Sequence, residues 1–271
     1  MRTIHTVVCV FMIAFLLPFS LSAQVSIVGE LSQDKDVKPG SEYSGSVVIR
    51  NDTNEPQEAK VYQTDYSFQW NGSNNYGDPG TLPRSNARWI TFSPSFVTLP
   101  PLGTVTVNYT LTIPKDTVLS GTYWSMLMVE GVPRGSAESS MPQKDQKAQM
   151  GIMQTIRYGI QIASTMANTG SKKIRFLAAN IFTKEDGKRI LQIDIENTGD
   201  IGIRPDVYVE LFSDQGVSLG KFPGVKYRMY PGTSVRQSID VSSIAKGTYK
   251  ALVVVDTGGD DVFGSQYTLK F

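Results

Sequence analysis

The side chains that carry most enzyme chemistry are almost missing from this sequence. Its one histidine is His5 and its one cysteine is Cys9, and both stand within the first 23 residues. From Gln24 onward there is no Ser-His or Cys-His nucleophile system, no imidazole or thiolate zinc site and no iron–sulfur ligation. A phosphate-cradling Gly-x-x-x-x-Gly-Lys-[Ser/Thr] loop and a dinucleotide fingerprint are absent too. Carboxylates remain, and two of them at the right separation can hydrolyse a glycosidic bond. Here, however, Asp and Glu stand mostly in turns. Asp256-Thr257-Gly258-Gly259-Asp260-Asp261 offers oxygens of the kind calcium takes, yet it lacks the spacing of a calcium loop and reads equally well as a polar hairpin. The expectation is a chain that is not an enzyme, with no catalytic residue, no metal and no cofactor.

One segment has a pattern suited to contact. Ala148, Met150, Ile152, Ile156, Tyr158, Ile160 and Ile162 share one parity, interrupted only by Gln154, while Gln149, Thr155, Arg157 and Gln161 fall on the other face. A strand of that length outruns an ordinary sandwich edge, where free backbone groups can add a partner's strand. The plainer reading is a last strand buried in its own sheet, with Gly151 and Gly159 marking bulges. On the preceding strand Tyr123 and Trp124 must face opposite sides, one toward a core and one nearer a surface.

The elements that would position these residues are short alternating runs bounded by Gly, Pro, Asn and Asp, without long amphipathic helical patterns. Val105, Val107, Tyr109 and Leu111, for example, alternate with Thr104, Thr106, Asn108 and Thr110. Strands are expected near 25–31, 43–50, 57–66, 88–92, 95–99, 104–112, 121–130 and 148–163. A second series is expected near 173–182, 189–196, 205–213, 217–220, 225–230, 234–240, 247–255 and 263–270. Glu185-Asp186-Gly187-Lys188 reads as a hairpin turn. The stretches 71–85 and 133–146 read as long polar loops, more mobile than functional.

The two halves resemble each other. Ile49-Arg50-Asn51-Asp52-Thr53 matches Ile195-Glu196-Asn197-Thr198-Gly199, Pro101-Leu102-Gly103-Thr104 matches Pro231-Gly232-Thr233, and Gly121-Thr122-Tyr123 matches Gly247-Thr248-Tyr249. Order and spacing agree, which favours a duplicated sandwich over one large barrel. The expected class is therefore all-β: two immunoglobulin-like β-sandwich domains in tandem after a signal peptide, over 24–167 and 172–271.

Residues 1–23 read as that signal peptide. Arg2 is followed by an apolar run from Val7 to Leu17 and by Leu21-Ser22-Ala23 as a cleavage site. The run is shorter than the ~20 residues of a membrane span, and no later segment approaches that length, so the mature chain is expected to carry none. Lys and Arg number 26 against 25 Asp and Glu, and the leader holds one Arg and no acid, leaving 25 of each. Phosphate binding draws on a surplus of cations, so nucleic acid is not expected as a partner. Export places the chain in a periplasmic or extracellular compartment.

The run from Trp89 through Phe96-Val97-Thr98-Leu99-Pro100-Pro101 into 104–112, then Ile113-Pro114-Lys115-Asp116, Tyr123-Trp124 and Val132-Pro133, resembles the PapD-like periplasmic pilus chaperones, two immunoglobulin-like domains set as a boomerang. Thr155-Ile156-Arg157-Tyr158 sits where that family ends its long donor strand. The resemblance implies a non-catalytic chaperone or assembly protein that binds a partner polypeptide, pilin-like or another surface-protein subunit, by strand addition. It implies Met150, Ile152, Ile156 and Tyr158 as the strand contacts and Arg157 as the basic anchor for a carboxylate. The family's second basic anchor lies in its first strand, and Val25 to Leu31 contains none; Lys35 is the nearest. The first domain is also similar to surface proteins that interact with WxL proteins, on Lys38-Pro39-Gly40, Pro100-Pro101 and Gly121-Thr122-Tyr123. A cell-surface adhesin or cell-wall binding module is the alternative function, and a carboxylate-dependent glycosidase a remote one.

Overall fold

The computed structural model describes residues 24–115, 118–142 and 155–271. In chain order the first ten strands are β1 (Val25–Val28), β2 (Ser32–Val37), β3 (Glu42–Asn51), β4 (Gln57–Phe68), β5 (Asn74–Gly77), β6 (Ile90–Ser93), β7 (Phe96–Leu99), β8 (Thr104–Thr112), β9 (Thr122–Val132) and β10 (Arg157–Met166). The rest are β11 (Ile174–Thr183), β12 (Arg189–Asn197), β13 (Asp206–Phe212), β14 (Ser218–Pro223), β15 (Ser234–Asp240), β16 (Thr248–Asp256) and β17 (Val262–Lys270).

Alternation turns these strands into two sandwiches. In the first, a sheet ordered β1-β3-β8-β6 faces one ordered β2-β10-β9-β4-β5, with β7 also pairing β4. Ile49, Leu99, Leu111, Leu127, Ile160 and Ile162 close the space between them without exposure. In the second, β11-β12-β15 faces β14-β13-β16-β17 around Leu191, Ile193, Ile195, Val209, Leu211 and Val253. Each such aliphatic side chain contributes roughly 1.5–3 kcal/mol when fully buried. With no thiol among the described residues, those two cores supply what a disulfide supplies elsewhere. The expected all-β class, two immunoglobulin-like sandwiches, is the one observed.

The matched turns occupy equivalent places. Asn51 ends β3 and Asn197 ends β12, both fully buried. The Asn51 amide donates to Glu55 O (2.7 Å) and Pro100 O (2.9 Å), and that of Asn197 to Ile201 O (2.8 Å) and Met229 O (3.0 Å). Each backbone N–H bonds across to the Gly-Thr turn that opens the neighbouring strand, Asn51 to Gly103 O and Asn197 to Thr233 O. Each side-chain oxygen accepts from the residue two further on, Thr53 or Gly199. A side chain that satisfies three backbone groups from two turns at once has few substitutes, which is why the same residue recurs at both sites.

Several expectations need correction. The charged segment Ser32–Val37 is strand β2, parallel to β10, because backbone pairing at an edge asks nothing of side-chain polarity. The strand expected at 88–92 begins as a 3-10 turn at Ala87–Trp89 and becomes extended only at β6. Residues 225–230 form no strand; a single bridge joins Met229 to Ile203, and of the apolar residues there Met229 and Tyr230 are buried while Val225 and Tyr227 are exposed. β10 starts at Arg157, and the expected strand's 148–154 lie outside the described residues.

The stretch 71–85, expected as a loop, contains β5, which pairs with Asp65–Phe68 of β4, and its second part is ordered by one carboxylate. Asp65, fully buried on β4, accepts from the N–H groups of Gly80 (3.1 Å), Thr81 (2.8 Å) and Leu82 (2.7 Å) and from the Ser85 hydroxyl. The first part of the other stretch, through Pro142, is pinned by Glu58, which is 2% exposed and accepts from Ser139 Oγ (2.5 Å) and from the Ser140 N–H (3.1 Å) and hydroxyl. Burial opposes the charge of Glu58, and the serine hydrogen bonds outweigh it, holding the carboxyl below the usual range.

Candidate functional site

The site is an incomplete edge of β10. Its even residues turn toward the first core: Ile160 and Ile162 are fully buried, Tyr158 is half-buried against that core, and Ile156, just before the strand, is 41% exposed. On one flank β10 pairs with β9 along its length from Arg157↔Glu130 to Thr165↔Thr122. On the other, β2 covers it only from Gln161↔Ser32 to Met166↔Val37. Arg157 to Ile160 therefore have no second neighbour among the described residues.

Backbone direction follows from one bond. The Gln161 N–H donates to Leu31 O at 2.9 Å, on the β2 side. Along a strand these groups point the same way every second residue, so the N–H and C=O of Gly159 and Arg157 point out of that same flank, where no described residue pairs with them. The exposed apolar side chains of Leu31 and Ile156 border the gap.

A Cβ on Gly159 would lie 2.5 Å from Met126 Cε and 3.2 Å from Met128 Sδ. The bulge expected at Gly159 is not found, since the register with β9 runs through it unbroken. What the glycine provides is room for two methionines crossing from β9.

Arg157 is not a free cation. Its Nε lies 2.8 Å from Glu130 Oε2 on β9, with the Arg157 side chain 62% exposed. Glu130 also accepts from Tyr62 Oη (2.9 Å) and has Lys60 Nζ at 3.7 Å. The hydrogen bond to Glu138 raises the Lys60 amine, and burial, helped by Glu130, pushes up the Tyr62 phenol. Of the remaining contacts expected from the sequence, Met150 and Ile152 lie outside the described residues. Lys35 lies on β2, opposite Ser164 and away from Arg157.

The opposite face of β10 meets the second sandwich. Trp124, on β9, stacks on Tyr230 with ring centroids 4.6 Å apart and planes 4° from parallel. Trp124 Nε1 donates to Tyr66 O (2.7 Å) and Tyr230 Oη to Gln161 Oε1 (2.9 Å), so both polar tips are satisfied. Burial drives the Tyr230 phenol well above its ordinary value. Around the stack, Arg228 forks onto Asp34 (2.5 and 2.6 Å) and Arg84 binds Asp200 (2.6 Å). Gly121 sits so close to Asp200 that a Cβ would be 2.0 Å from its carbonyl oxygen.

No family model matches the chain, and no curated protein matches it. Among solved structures it is similar to a chain of the chaperone–tip adhesin complex of CFA/I fimbriae biogenesis, at 16% identity over 90% of this chain and 98% of that one, with a TM-score of 0.47. It is also similar to the class 5 fimbriae chaperone CfaA (16% identity, 89% and 98% covered, TM-score 0.44) and to the E. coli chaperone DraB (11%, 92% and 100%, 0.44).

Sequence reading expected one of Tyr123 and Trp124 near a surface. Tyr123 lies beside Trp89 (4.8 Å) against the first core, and Trp124 does face the outside of its own sandwich, where the second sandwich covers it to 5% exposure. Tyr230, Arg228 and Trp70 escaped sequence reading altogether. The one usable signal was the crowding of Tyr227, Arg228, Met229 and Tyr230 just ahead of a Pro-Gly turn, which imitates a strand. The candidate calcium loop is the β16–β17 hairpin, and the Lys172 ammonium sits on it, 3.2 Å from Gly258 O and 3.3 Å from Asp261 Oδ2.

Proposed function

We propose that this chain is an exported, non-catalytic chaperone or assembly protein that holds another polypeptide by accepting its strand at Arg157–Ile160 of β10. The observation that carries the reading is the early end of β2's cover, which leaves outward N–H and C=O groups on Arg157 and Gly159 without a partner among the described residues. Backbone pairing supplies affinity there, and Ile156 and Tyr158 supply the alternating apolar contacts. Met150 and Ile152 extend the same parity upstream. The partner class is a pilin-like or other surface-protein subunit, as the sequence resemblance implies. Removal of 1–23 on export leaves the units 24–167 and 172–271 to work in the periplasm.

Arg157 holds Glu130 through Nε and keeps the N–H groups of its exposed Nη atoms for a partner's carboxylate. Co-purification from the native host tests both parts. Ile156→Asp is expected to reduce partner recovery at least tenfold with the thermal transition unchanged, because the side chain is exposed. Recovery equal to wild type contradicts the strand reading. Arg157→Ala lowers recovery if a carboxylate is captured there, and an unchanged yield removes Arg157 from the site.

A further inference from the structure

The first segment of the chain is shared between the two sheets of the first sandwich. Val25–Val28 pairs with β3 in one sheet, and Ser32–Val37 pairs with β10 in the other. Residues 29–31 carry the chain across, turning at Gly29, whose φ of 105° lies in the region that glycine alone enters freely. This crossing is what ends the cover of β10 at Gln161↔Ser32. Continued backward one residue at a time, that register sets Ile160 opposite Leu31, Gly159 opposite Glu30, Tyr158 opposite Gly29 and Arg157 opposite Val28. The uncovered residues of the edge thus match, rung for rung, a stretch of this same chain that is exposed from Val28 to Leu31.

The side chains agree with that register. Gln33 accepts from the buried Tyr109 hydroxyl (2.6 Å), which sets the odd residues of β2 toward the core. Leu31, 47% exposed where it stands, has the same parity and would come to rest beside Tyr158 and Ile160. Glu30 would take the outward face opposite Gly159, which has no side chain, and its carboxylate would come within reach of the Arg157 Nη groups on the neighbouring rung. That is the place a partner's carboxylate would fill. The move gives up the rungs from Val25↔Asn51 to Val28↔Val48 and the burial of Val25, which is 6% exposed. Rungs are exchanged for rungs, so the balance between the two arrangements lies with a few side chains, Val25 and Ile27 against Leu31.

We propose that residues 28–31 are a built-in competitor for the β10 edge: β1 leaves β3, extends β2 in parallel along Arg157–Ile160, and closes the edge until a partner's strand takes its place. The consequence for the partner rests on the strand-addition reading, whereas the exchange of strands does not. Gly29→Val tests the exchange, because a β-branched residue is strained at the crossing's φ and favours an extended chain. By NMR of the free chain, the Gly159 amide is expected to exchange with solvent at least tenfold more slowly in this variant than in wild type. The Val48 and Arg50 amides should exchange at least tenfold faster, since they face β1 in the same sense as Asp52, whose N–H bonds to Gln24 O. Partner recovery should fall at least fivefold. Faster Val48 and Arg50 with an unchanged Gly159 means that β1 only frays, and overturns the proposal, as does no change at any of the three. Slowed Gly159 with undiminished partner recovery leaves the exchange standing and sinks the strand reading. An unchanged Gly159 in Gly29→Val, with the partner still lost in Ile156→Asp, sinks the exchange alone. If Gly29→Val does not fold, the pair Val28→Cys and Arg157→Cys replaces it, in a chain with no other thiol from Gln24 onward. A disulfide should then form in glutathione buffer and slow Gly159 until it is reduced, and a pair that stays open overturns the proposal.

Discussion

Tyr230→Ala is expected to destabilise the protein by about 3–5 kcal/mol, the usual cost of deleting a fully buried aromatic ring. The ring is entirely enclosed, stacks on Trp124 and anchors Gln161. Because its two partners belong to the first sandwich and Tyr230 to the second, the loss falls on the joint between them. Two consequences should separate. Urea unfolding followed by tryptophan fluorescence should shift to a lower midpoint, and small-angle scattering should show a broader distribution of overall dimensions. Tyr230→Phe keeps the stack and forfeits one hydrogen bond, so its cost should be about 1 kcal/mol. A Phe variant as damaged as the Ala variant would show that the hydroxyl, not the ring, holds the joint.

Asp65→Ala should cost about 3 kcal/mol or more, since it strands three backbone N–H groups that face a fully buried carboxylate. It should also disorder the segment that carries Arg84 to Asp200, coupling a defect within the first sandwich to its contact with the second. Burial acts against the Asp65 charge, but the Leu82 N–H, the Ser85 hydroxyl and the Gly80 and Thr81 N–H groups prevail and hold its carboxyl below the usual range. A depressed folded value means that the stability from this charge is complete above the unfolded value near pH 4 and is lost as pH falls through the folded one. The gap between wild type and Asp65→Ala should therefore be constant from pH 7 to about 5 and narrow below about 4. A gap that widens in acid would contradict the ionised, hydrogen-bonded Asp65 described here.

Much of this architecture was legible in the residues. Alternation along Val105 to Leu111 assigned β8, and the parity of Ile156, Tyr158, Ile160 and Ile162 assigned the inward face of β10. The recurring Asn-Thr and Gly-Thr turns pointed to duplication, and Asn51 and Asn197 make matching bonds. What stayed hidden has physical causes. β2 is polar because an edge strand is held by its backbone, so hydrophobic period says nothing about it. Asp65 gathers donors from 15 to 20 residues away, and turn propensity does not record where a turn's N–H groups will go. The aromatic joint depends on how two sandwiches meet, and no local pattern in Trp124 or Tyr230 specifies its partner.

Backbone hydrogen exchange at the β10 edge tests strand addition most directly, with the chain measured alone and bound to the subunit it co-purifies with. The Arg157 and Gly159 amides, which no described residue accepts on the β2 flank, should slow at least a hundredfold in the complex. The Tyr158 and Ile160 amides, already directed toward β9, should change little. A tight complex in which Arg157 and Gly159 exchange as fast as in the free chain would show that the partner is held somewhere else.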